Sequence, residues 1–321
     1  MTRATPEIVV LRKGTEGLST EDYADELRSR LPDRRIGHAR TPEEERELIR
    51  HARVATGISI SEALIEVAED LELFVAASSG TGHLPTDALA ESGVTVANAS
   101  GIHAPGIAEQ AIGYCLMFAR RIHEGWSRKR EGEWRHYQAD EFGGSTVTVV
   151  GMGAIGQAVV ERLEGFGVKT LGIRYTPGKG GPTDEVVGFD SGDVHEVLAR
   201  TDYLVLATPL SETTEKLIGA EELATLPPDA VVVNVCRGGV VDTDALLASL
   251  QHEGIRGAAM DVTDPEPLPA DHTLWNLDNV LITPHMGGHT PKHWERLAEI
   301  LAENLQCLDE GEVDGFVNKV N

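Results

Sequence analysis

The chain has 321 residues and carries 52 Asp and Glu against 28 Lys and Arg, a formal net charge of −24 at pH 7. Nucleic acids and anionic membrane surfaces bind basic patches, so this balance argues against both as partners. No stretch approaches the roughly 20 apolar residues of a membrane span, and no signal peptide is evident before Leu11. We therefore expect a cytoplasmic protein, long enough for two domains.

The acidic residues are spread along the chain rather than gathered in a tail, and most of the cations are Arg. A dispersed acidic surface stays hydrated at high salt, so a halophilic source is one hypothesis and an ordinary acidic protein is the other. The three cysteines, Cys115, Cys236 and Cys307, lack CxxC spacing and are expected to be reduced and mostly buried.

The amino-terminal third alternates short apolar runs with helical patterns. Strands are predicted at residues 7–11, 73–78 and 94–98, and helices at 20–31, with Thr20 as the cap, and at 61–71. These elements predict a small α/β unit that ends near residue 100.

A long helix is predicted from about residue 104 to 122, followed by an irregular arm over 124–144 that is rich in Trp and charge. Beyond it, apolar strands alternate with helical segments, at 146–150, 169–173, 185–187, 203–207, 231–235, 257–262 and 280–283. Alternation of this kind indicates a parallel, doubly wound sheet.

Three glycines, Gly151, Gly153 and Gly156, lie directly between the strand at 146–150 and the helix that follows. The first permits a tight turn, the second lets a pyrophosphate approach the backbone, and the third lets the helix pack closely. With the intervening Ala154 and Ile155, this loop predicts dinucleotide binding. A purely structural glycine turn is the alternative.

The position at the end of the next strand, where an acid would accept from the adenosine ribose, holds Arg174. Tyr175 and Thr176 follow it, with Lys179 nearby. An Arg cannot accept from a 2′-hydroxyl but pairs well with a 2′-phosphate. NADP(H) is therefore the preferred cofactor, with NAD(H) tolerated. The alternative is a solvated Arg174 that stacks on adenine.

Polar residues follow the later strands where each strand ends, and ligands of open parallel sheets bind at that edge. Arg237 follows an apolar strand and stands on bare Gly238-Gly239, so we expect it to face an anionic substrate rather than to lie on a surface turn. The other residues expected at this edge are Thr208, Pro209, Val235, Cys236, Asp261, His285 and Gly287.

Glu266 sits between Pro265 and Pro267, and His285 lies on a turn next to Pro284. A carboxylate beside an imidazole stabilises its protonated form and sets its tautomer, which suits a proton donor near neutral pH. With Arg237 and a reduced nicotinamide, the pair makes a complete site for reducing a 2-oxo acid. The alternative for Glu266 is a proline-braced surface turn.

A metal site at His285, His289 and His293 is the rival interpretation, because the three residues repeat every four positions. Gly287, Gly288 and Pro291 interrupt a helix there, and no further ligand cluster accompanies the histidines. No metal is therefore expected.

The chain resembles the D-isomer-specific 2-hydroxyacid dehydrogenase family over essentially its whole length. The segments that carry the resemblance are GIHAPGIAEQAIGYCLMFAR, VVGMGAIG, VNVCRGGVVD, AAMDVTDPEPLP and LITPHMGGHT. The resemblance implies two doubly wound α/β domains, a Rossmann-type dinucleotide-binding domain (103–289) inserted in a flavodoxin-like substrate domain (1–102, completed by 290–321), with a cleft between them. It also implies a homodimer formed through the nucleotide domains.

The resemblance further assigns roles to individual residues. Arg237 would bind the substrate carboxylate and carbonyl, His285 would be the acid/base and Glu266 its partner. Backbone N–H groups at Ser79 and Gly80 would hold the carboxylate. Asp261 would hold the nicotinamide carboxamide, and Thr208 would lie along the cofactor.

The expected reaction is the reversible, stereospecific reduction of a 2-oxo acid, of aliphatic type, to the D-2-hydroxy acid. Glyoxylate or hydroxypyruvate reduction is the alternative within the fold. Phosphoglycerate is disfavoured because residues 55–65 offer no Arg for a phosphate, and formate enzymes would have Gln where Glu266 stands. A dinucleotide-sensing co-repressor is the alternative from another class.

Overall fold

The computed structural model describes residues 5–15 and 17–321. The chain divides into two compact units, one of residues 1–102 with 289–321 and one of residues 103–288. The second unit is thus a continuous insertion in the first. No helix among the described residues is long and apolar enough to cross a membrane.

The described residues form twelve strands and eleven α-helices. The strands are β1 (Ile8–Val10), β2 (Ile36–His38), β3 (Val54–Gly57), β4 (Leu73–Ala76), β5 (Thr95–Ala97), β6 (Thr146–Val150), β7 (Lys169–Ile173), β8 (Glu185–Val187), β9 (Tyr203–Leu206), β10 (Val231–Asn234), β11 (Gly257–Met260) and β12 (Val280–Ile282). The helices are α1 (Thr20–Arg30), α2 (Pro42–Ile49), α3 (Glu62–Ile65), α4 (Thr86–Glu91), α5 (Ala104–Ala119), α6 (Ile122–Glu131), α7 (Ala154–Leu163), α8 (Ser191–Leu198), α9 (Ala220–Thr225), α10 (Thr243–Gln251) and α11 (His293–Glu310).

The first unit is built on a parallel five-stranded sheet with the order β2-β1-β3-β4-β5. This is the order of flavodoxin-like sheets. The four strands β1, β3, β4 and β5 lie largely out of solvent, and the amphipathic helix α11 returns to bury Trp294, Leu297 and Leu301 in the same core as Val54 and Val75. The expected flavodoxin-like fold is confirmed.

The second unit is built on a parallel seven-stranded sheet with the order β12-β11-β10-β9-β6-β7-β8. The sheet is covered on both faces, and the consecutive valines of β10 pack against both coverings. Val231 and Val233 point into one core cluster, and Val232 into the other. The strand order reverses at β6, between β9 and β7, and such a switch point is where Rossmann-type sheets bind dinucleotides. The predicted Rossmann-type fold is confirmed.

Three local predictions need correction. The helix expected at 61–71 covers only Glu62–Ile65, because the amide of Glu69 donates to the carbonyl of Arg50 (2.8 Å) and so leaves the helical pattern. The helix expected to reach residue 122 ends at Ala119. Its successor α6 occupies the first part of the arm expected to be irregular and ends at Glu131, where Gly132 caps it in the left-handed region (φ +72°).

The cap of α1 is Ser19 rather than Thr20, since the Ser19 hydroxyl accepts from the amides of Glu21 and Asp22. Four further elements, β2, α2, β3 and α4, were not predicted at all. All are eight residues or shorter, which leaves too little chain for a periodic pattern to stand out.

Candidate active site

The glycine loop between β6 and α7 is closely packed at two of its glycines and open at the third. A Cβ on Gly156 would lie 1.8 Å from the carbonyl oxygen of Gly151, and one on Gly151 (φ +95°) would lie 2.5 Å from that of Ala207. A Cβ on Gly153 would meet nothing within 4 Å. The loop is therefore closed on its inner side and open at Gly153, in front of the first amides of α7, where the helix offers unpaired donors.

Arg174 directly follows β7 and is half-buried. Its backbone amide donates to the carbonyl of Val187 (3.0 Å), and its Nη1 donates to the carbonyl of Gly180. It pairs with no carboxylate in residues 5–15 and 17–321. Tyr175, with 77 % of its surface exposed, and Thr176 follow on the solvent side. One of the five N–H groups of the guanidinium is thus used within the described residues, which leaves the other four without a protein acceptor there.

Arg237 lies three residues after the end of the core strand β10 and is exposed, in extended backbone (φ −148°). The buried Asn234 holds its turn, donating from Nδ2 to the Arg237 carbonyl (3.0 Å) and accepting at Oδ1 from the amide of Cys236 (3.1 Å). Gly238 is required because a Cβ there would lie 2.0 Å from the backbone of Thr263. Gly238 therefore lets the loop that follows β10 contact the loop that follows β11, directly after Arg237 in the chain.

The two residues before Arg237 are buried, and so is Thr208, which follows the neighbouring strand β9. Val235, Cys236 and Thr208 are all less than 9 % exposed, whereas Pro209 is exposed. Burial raises the pKa of the Cys236 thiol. The thiol therefore stays neutral and does not compensate the charge of Arg237.

His285 and Glu266 meet. The imidazole Nδ1 lies 2.6 Å from the Oε1 atom of Glu266, and both side chains are nearly half exposed (46 % and 42 %). Because a carboxylate can only accept, Nδ1 carries a proton and donates it to Glu266. The other ring nitrogen, Nε2, makes no hydrogen bond within the described part of the chain.

His285 has a left-handed backbone (φ +51°), which is costly for a residue with a side chain. The buried carboxylate of Asp261 supports that turn. Its Oδ1 accepts from the amide of Met286 (3.0 Å) and its Oδ2 from the amide of Gly287 (2.9 Å). Asp261 is 3 % exposed, so the structure gives its carboxylate a supporting role that the sequence did not indicate.

Two side chains of α5 and one after β12 complete the surroundings of Asp261. The Nε2 atom of Gln110 donates to Asp261 Oδ1 (3.1 Å) and to Thr283 Oγ1 (2.9 Å), and Thr283 itself donates to Asp261. The Tyr114 hydroxyl bonds to Thr283. Burial raises the pKa of the Tyr114 phenol, which keeps it protonated. Sequence reasoning missed this network, whose only signal was polar residues in an otherwise apolar helix.

In the first unit, the loop after β4 has its carbonyls tied down. The carbonyl of Ser78 accepts from the amide of Ala99 (3.1 Å), that of Ser79 from Asn98 Nδ2 (2.7 Å), and that of Gly80 from the Ser78 hydroxyl (2.8 Å). The amides of Ser79 and Gly80 make no hydrogen bond within the described part of the chain, and both residues are exposed. Paired carbonyls and open amides suit the binding of an anion.

No three His, Cys, Asp or Glu side chains are grouped as a metal site requires within residues 5–15 and 17–321. Of the three histidines in the rival interpretation, His285 lies on a turn and His293 is the first residue of α11. The three cysteines are unpaired thiols; Cys115 and Cys236 are buried and Cys307 is half-buried.

Comparison with known proteins gives one family and many relatives. Residues 112–287 match the family described as "D-isomer specific 2-hydroxyacid dehydrogenase, NAD binding domain". The chain is 35 % identical over 288 residues to D-3-phosphoglycerate dehydrogenase of Methanocaldococcus jannaschii, covering 88 % of this chain but 54 % of that relative. It is 33 % identical over 270 residues to glyoxylate reductase of Thermococcus litoralis, covering 81 % of each chain.

Among solved structures, the chain is similar to a D-isomer specific 2-hydroxyacid dehydrogenase from Xanthobacter autotrophicus Py2 in complex with NADPH and MES. The identity is 27 % and the TM-score 0.78, with 99 % of this chain and 98 % of that chain covered. The similarity thus extends over both units, whereas the family match lies in the second.

Proposed function

Since the chain belongs to the D-isomer-specific 2-hydroxyacid dehydrogenase family, we propose that it reduces a small aliphatic 2-oxo acid reversibly to the D-2-hydroxy acid. Membership makes it an oxidoreductase that binds a nicotinamide dinucleotide. Membership alone does not fix the natural acid, the stereochemistry of the product or the preferred dinucleotide, and we propose those separately.

The observation that carries the proposal is the contact between His285 and Glu266, made at the ends of two neighbouring strands of the nucleotide-binding sheet. A proton donor held in one tautomer by a carboxylate is what reduction of a carbonyl requires. Arg237 supplies a planar cation on the same sheet edge, since it follows β10, which pairs with β11. That cation suits a carboxylate and an adjacent carbonyl oxygen.

The bound reduced nicotinamide supplies the hydride for C2 of the acid. Arg237 holds the carboxylate and polarises the carbonyl. His285 passes the proton on Nε2 to the carbonyl oxygen, and Glu266 stabilises the charged imidazole before that transfer. The amides of Ser79 and Gly80, whose carbonyls are already paired, are proposed to bind the carboxylate as well.

The dinucleotide is proposed to lie on the open side of Gly153 with its pyrophosphate at Ala154 and Ile155, and along Thr208, Pro209, Val235 and Cys236. The donors left on Arg174, with Tyr175 and Thr176 beside it, support a preference for NADP(H) over NAD(H). Asp261 and Gly287 are proposed to adjoin the nicotinamide. Because the Asp261 carboxylate is buried and already accepts several bonds, only a second bond at Oδ2 remains for a carboxamide.

Two of the relatives are named for different substrates: one is a D-3-phosphoglycerate dehydrogenase and the other is a glyoxylate reductase. Residues 55–65 contain no Arg, Lys or His, which disfavours a phosphorylated acid. Glyoxylate or hydroxypyruvate therefore stays the second candidate, and a larger aliphatic acid the first.

A homodimer is proposed on the evidence of the exposed apolar side chains of α6 and the segment after it. Ile122, Trp126 and Trp134 have 46 %, 56 % and 95 % of their surface exposed. Burying such residues in a subunit interface would remove them from water. A cytoplasmic location and an acidic surface adapted to high salt are proposed from the free cysteines and the net charge of −24.

The test is a panel of glyoxylate, hydroxypyruvate, pyruvate, longer 2-oxo acids and 3-phosphohydroxypyruvate, followed by the absorbance of the reduced nicotinamide. Chiral chromatography then identifies the product enantiomer. We expect turnover of unphosphorylated acids to the D product. Tight dinucleotide binding with no turnover of any acid would instead favour the co-repressor alternative.

A further inference from the structure

The last residues of the chain pair with the open edge of β5 in the first unit. Lys319 forms an antiparallel bridge with Ala97, and the amide of Val320 donates to the carbonyl of Val96 (2.8 Å). The Asn321 side chain accepts from the Val96 amide (2.7 Å) and donates to the Val94 carbonyl (3.1 Å). This tail, residues 317–321, thus runs along an edge strand that would otherwise have unpaired backbone groups.

Within the tail, Asn318 reaches the loop that follows β5. Its Nδ2 atom donates to the carbonyls of Ser100 (2.8 Å) and Asn98 (3.2 Å). The amide of Asn98 donates back to the Asn318 carbonyl (3.1 Å). Asn318 has a left-handed backbone (φ +56°), which Asn tolerates better than most residues.

Asn98 passes this contact on to the proposed substrate loop. Its Nδ2 atom donates to the Ser79 carbonyl (2.7 Å), while its Oδ1 accepts from the amide of Ser100 (3.0 Å). The side chain is therefore fixed at both ends, and its amide group has one orientation.

The tail itself is anchored to the core. The side chain of the fully buried Asn304, on α11, donates to the Val317 carbonyl (3.0 Å) and accepts from the Val317 amide (2.6 Å). Hydrogen bonds therefore link Asn304 of α11 to Val317, and its chain neighbour Asn318 to Asn98 and so to Ser79. All of these residues lie within the first unit.

A trans peptide is planar, so its C=O and the following N–H point in opposite directions. The bond from Asn98 to the Ser79 carbonyl therefore sets the direction of the Gly80 N–H. In the same way, the bond from the Ala99 amide to the Ser78 carbonyl (3.1 Å) sets the direction of the Ser79 N–H. These are the two donors to which the proposed function assigns the substrate carboxylate.

We propose that Asn98 and Asn318 are positioning residues for the substrate carboxylate: Asn318 fixes Asn98, and Asn98 aims the Gly80 amide. The proposal rests on the proposed function only in taking Ser79 and Gly80 as the carboxylate loop. It assigns a part in substrate binding to the tail, which pairs with the edge of β5 and contains none of the proposed catalytic residues.

The variants are Asn98→Ala, which removes the donor to Ser79, and Asn318→Gly, which keeps the left-handed backbone but removes the donor to Asn98 and Ser100. Asn321→Ala is the matched control, since the Asn321 side chain ties the same tail to the same strand through hydrogen bonds to Val94 and Val96 and makes none to Ser79 or Asn98. The readouts are KM and kcat for the best 2-oxo acid, the Kd of oxamate for the dinucleotide-bound protein, the dinucleotide Kd and Tm.

Asn98→Ala and Asn318→Gly should each raise KM and the oxamate Kd about tenfold, because a mis-aimed amide weakens carboxylate binding in ground and transition state alike. The values of kcat and the dinucleotide Kd should stay within about twofold of wild type. Asn321→Ala should lower Tm with KM unchanged. The double variant should be no worse than Asn98→Ala alone, since both changes act through one bond.

Variants that lower Tm as Asn321→Ala does, yet keep the wild-type KM and oxamate Kd, overturn the positioning role while leaving the proposed function intact. If the wild-type protein turns over no 2-oxo acid but binds oxamate, and Asn98→Ala weakens that binding, the proposed reaction is overturned and the positioning role is supported. A wild-type protein that neither turns over 2-oxo acids nor binds oxamate overturns both.

Discussion

The imidazole Nδ1 of His285 lies 2.6 Å from the carboxylate of Glu266, and the two residues are 19 positions apart in the chain. The contact is made by tertiary structure: Glu266 follows β11, His285 follows β12, and the two strands are parallel neighbours. The pairing leaves Nε2 for the proton exchange that we propose, with Glu266 as the support of the ring, and this is the basis of the first prediction.

Glu266→Gln keeps the size of the side chain but removes its charge, so the protonated imidazole loses its stabilising partner. Reduction needs the protonated form, so the carboxylate favours the state that reacts. The value of kcat/KM for reduction at neutral pH should therefore drop about tenfold in the variant. The measurement is kcat/KM for reduction at neutral pH, with the dinucleotide Kd determined alongside.

Asp264→Asn is the control for this prediction, because Asp264 is an exposed carboxylate two residues away that makes no contact with His285. Its kcat/KM should match wild type. A Glu266→Gln variant whose kcat/KM also matches wild type would show that the carboxylate does not support the imidazole in solution.

Asp261→Asn places a donor where the structure needs only acceptors, facing the amides of Met286 and Gly287. Leaving such a buried group unpaired costs about 1–3 kcal/mol. We expect a lower Tm together with a loss of kcat of about tenfold or more, because the left-handed turn at His285 loses its support. Thermal denaturation and steady-state kinetics on the same preparation check both.

Asp242→Ala is the stability control for Asp261→Asn. Asp242 caps α10, accepting from the amides of Asp244 and Ala245, so its loss should cost about 1 kcal/mol of stability. The kcat of this variant should stay at the wild-type value. If Asp261→Asn behaves in the same way, Asp261 contributes stability alone.

Gly238→Ala tests the contact between the loops that follow β10 and β11. The added Cβ would lie 2.0 Å from the backbone of Thr263, so one of the two loops must move. We expect loss of kcat/KM and a lower Tm. Gly113→Ala, in the interior of α5 with nothing within 4 Å of its Cβ, should be neutral or stabilising by about 0.5–1 kcal/mol. Wild-type activity in Gly238→Ala would contradict the observed packing.

A residue of the candidate site could be predicted from the sequence when its position followed from the end of a strand, but not when it depended on a partner far away in the chain. The glycine loop, Arg237 and His285 could be placed because a strand end predicts the sheet edge on which a residue stands. The supporting side chains could not, because Gln110 meets Asp261 from 151 residues away and Asn318 meets Asn98 from 220 residues away. Such pairs follow from the packing of α5 and of the tail, which local patterns do not encode.

The prediction for Arg174 concerns the dinucleotide. A guanidinium–phosphate pair is worth about 1.5–3 kcal/mol, which corresponds to roughly a tenfold to hundredfold preference for NADPH. The preference should shrink as salt rises, because exposed charges are screened. Arg174→Asp should reverse it. The measurement is kcat/KM for both dinucleotides at low and high salt; a wild type that prefers NADH at both would defeat the assignment.

Arg237 is proposed to bind the carboxylate of a 2-oxo acid through two hydrogen bonds, and Arg237→Lys tests this role. Lysine keeps the charge but loses the planar two-point contact. The measurement is kcat/KM for the best 2-oxo acid, with the dinucleotide Kd determined alongside and Arg200→Lys, an exposed pair with Glu185, as the control. We expect a loss of about a hundredfold or more in kcat/KM for Arg237→Lys, an unchanged dinucleotide Kd, and wild-type values for Arg200→Lys. An Arg237→Lys enzyme within about threefold of wild type would contradict it.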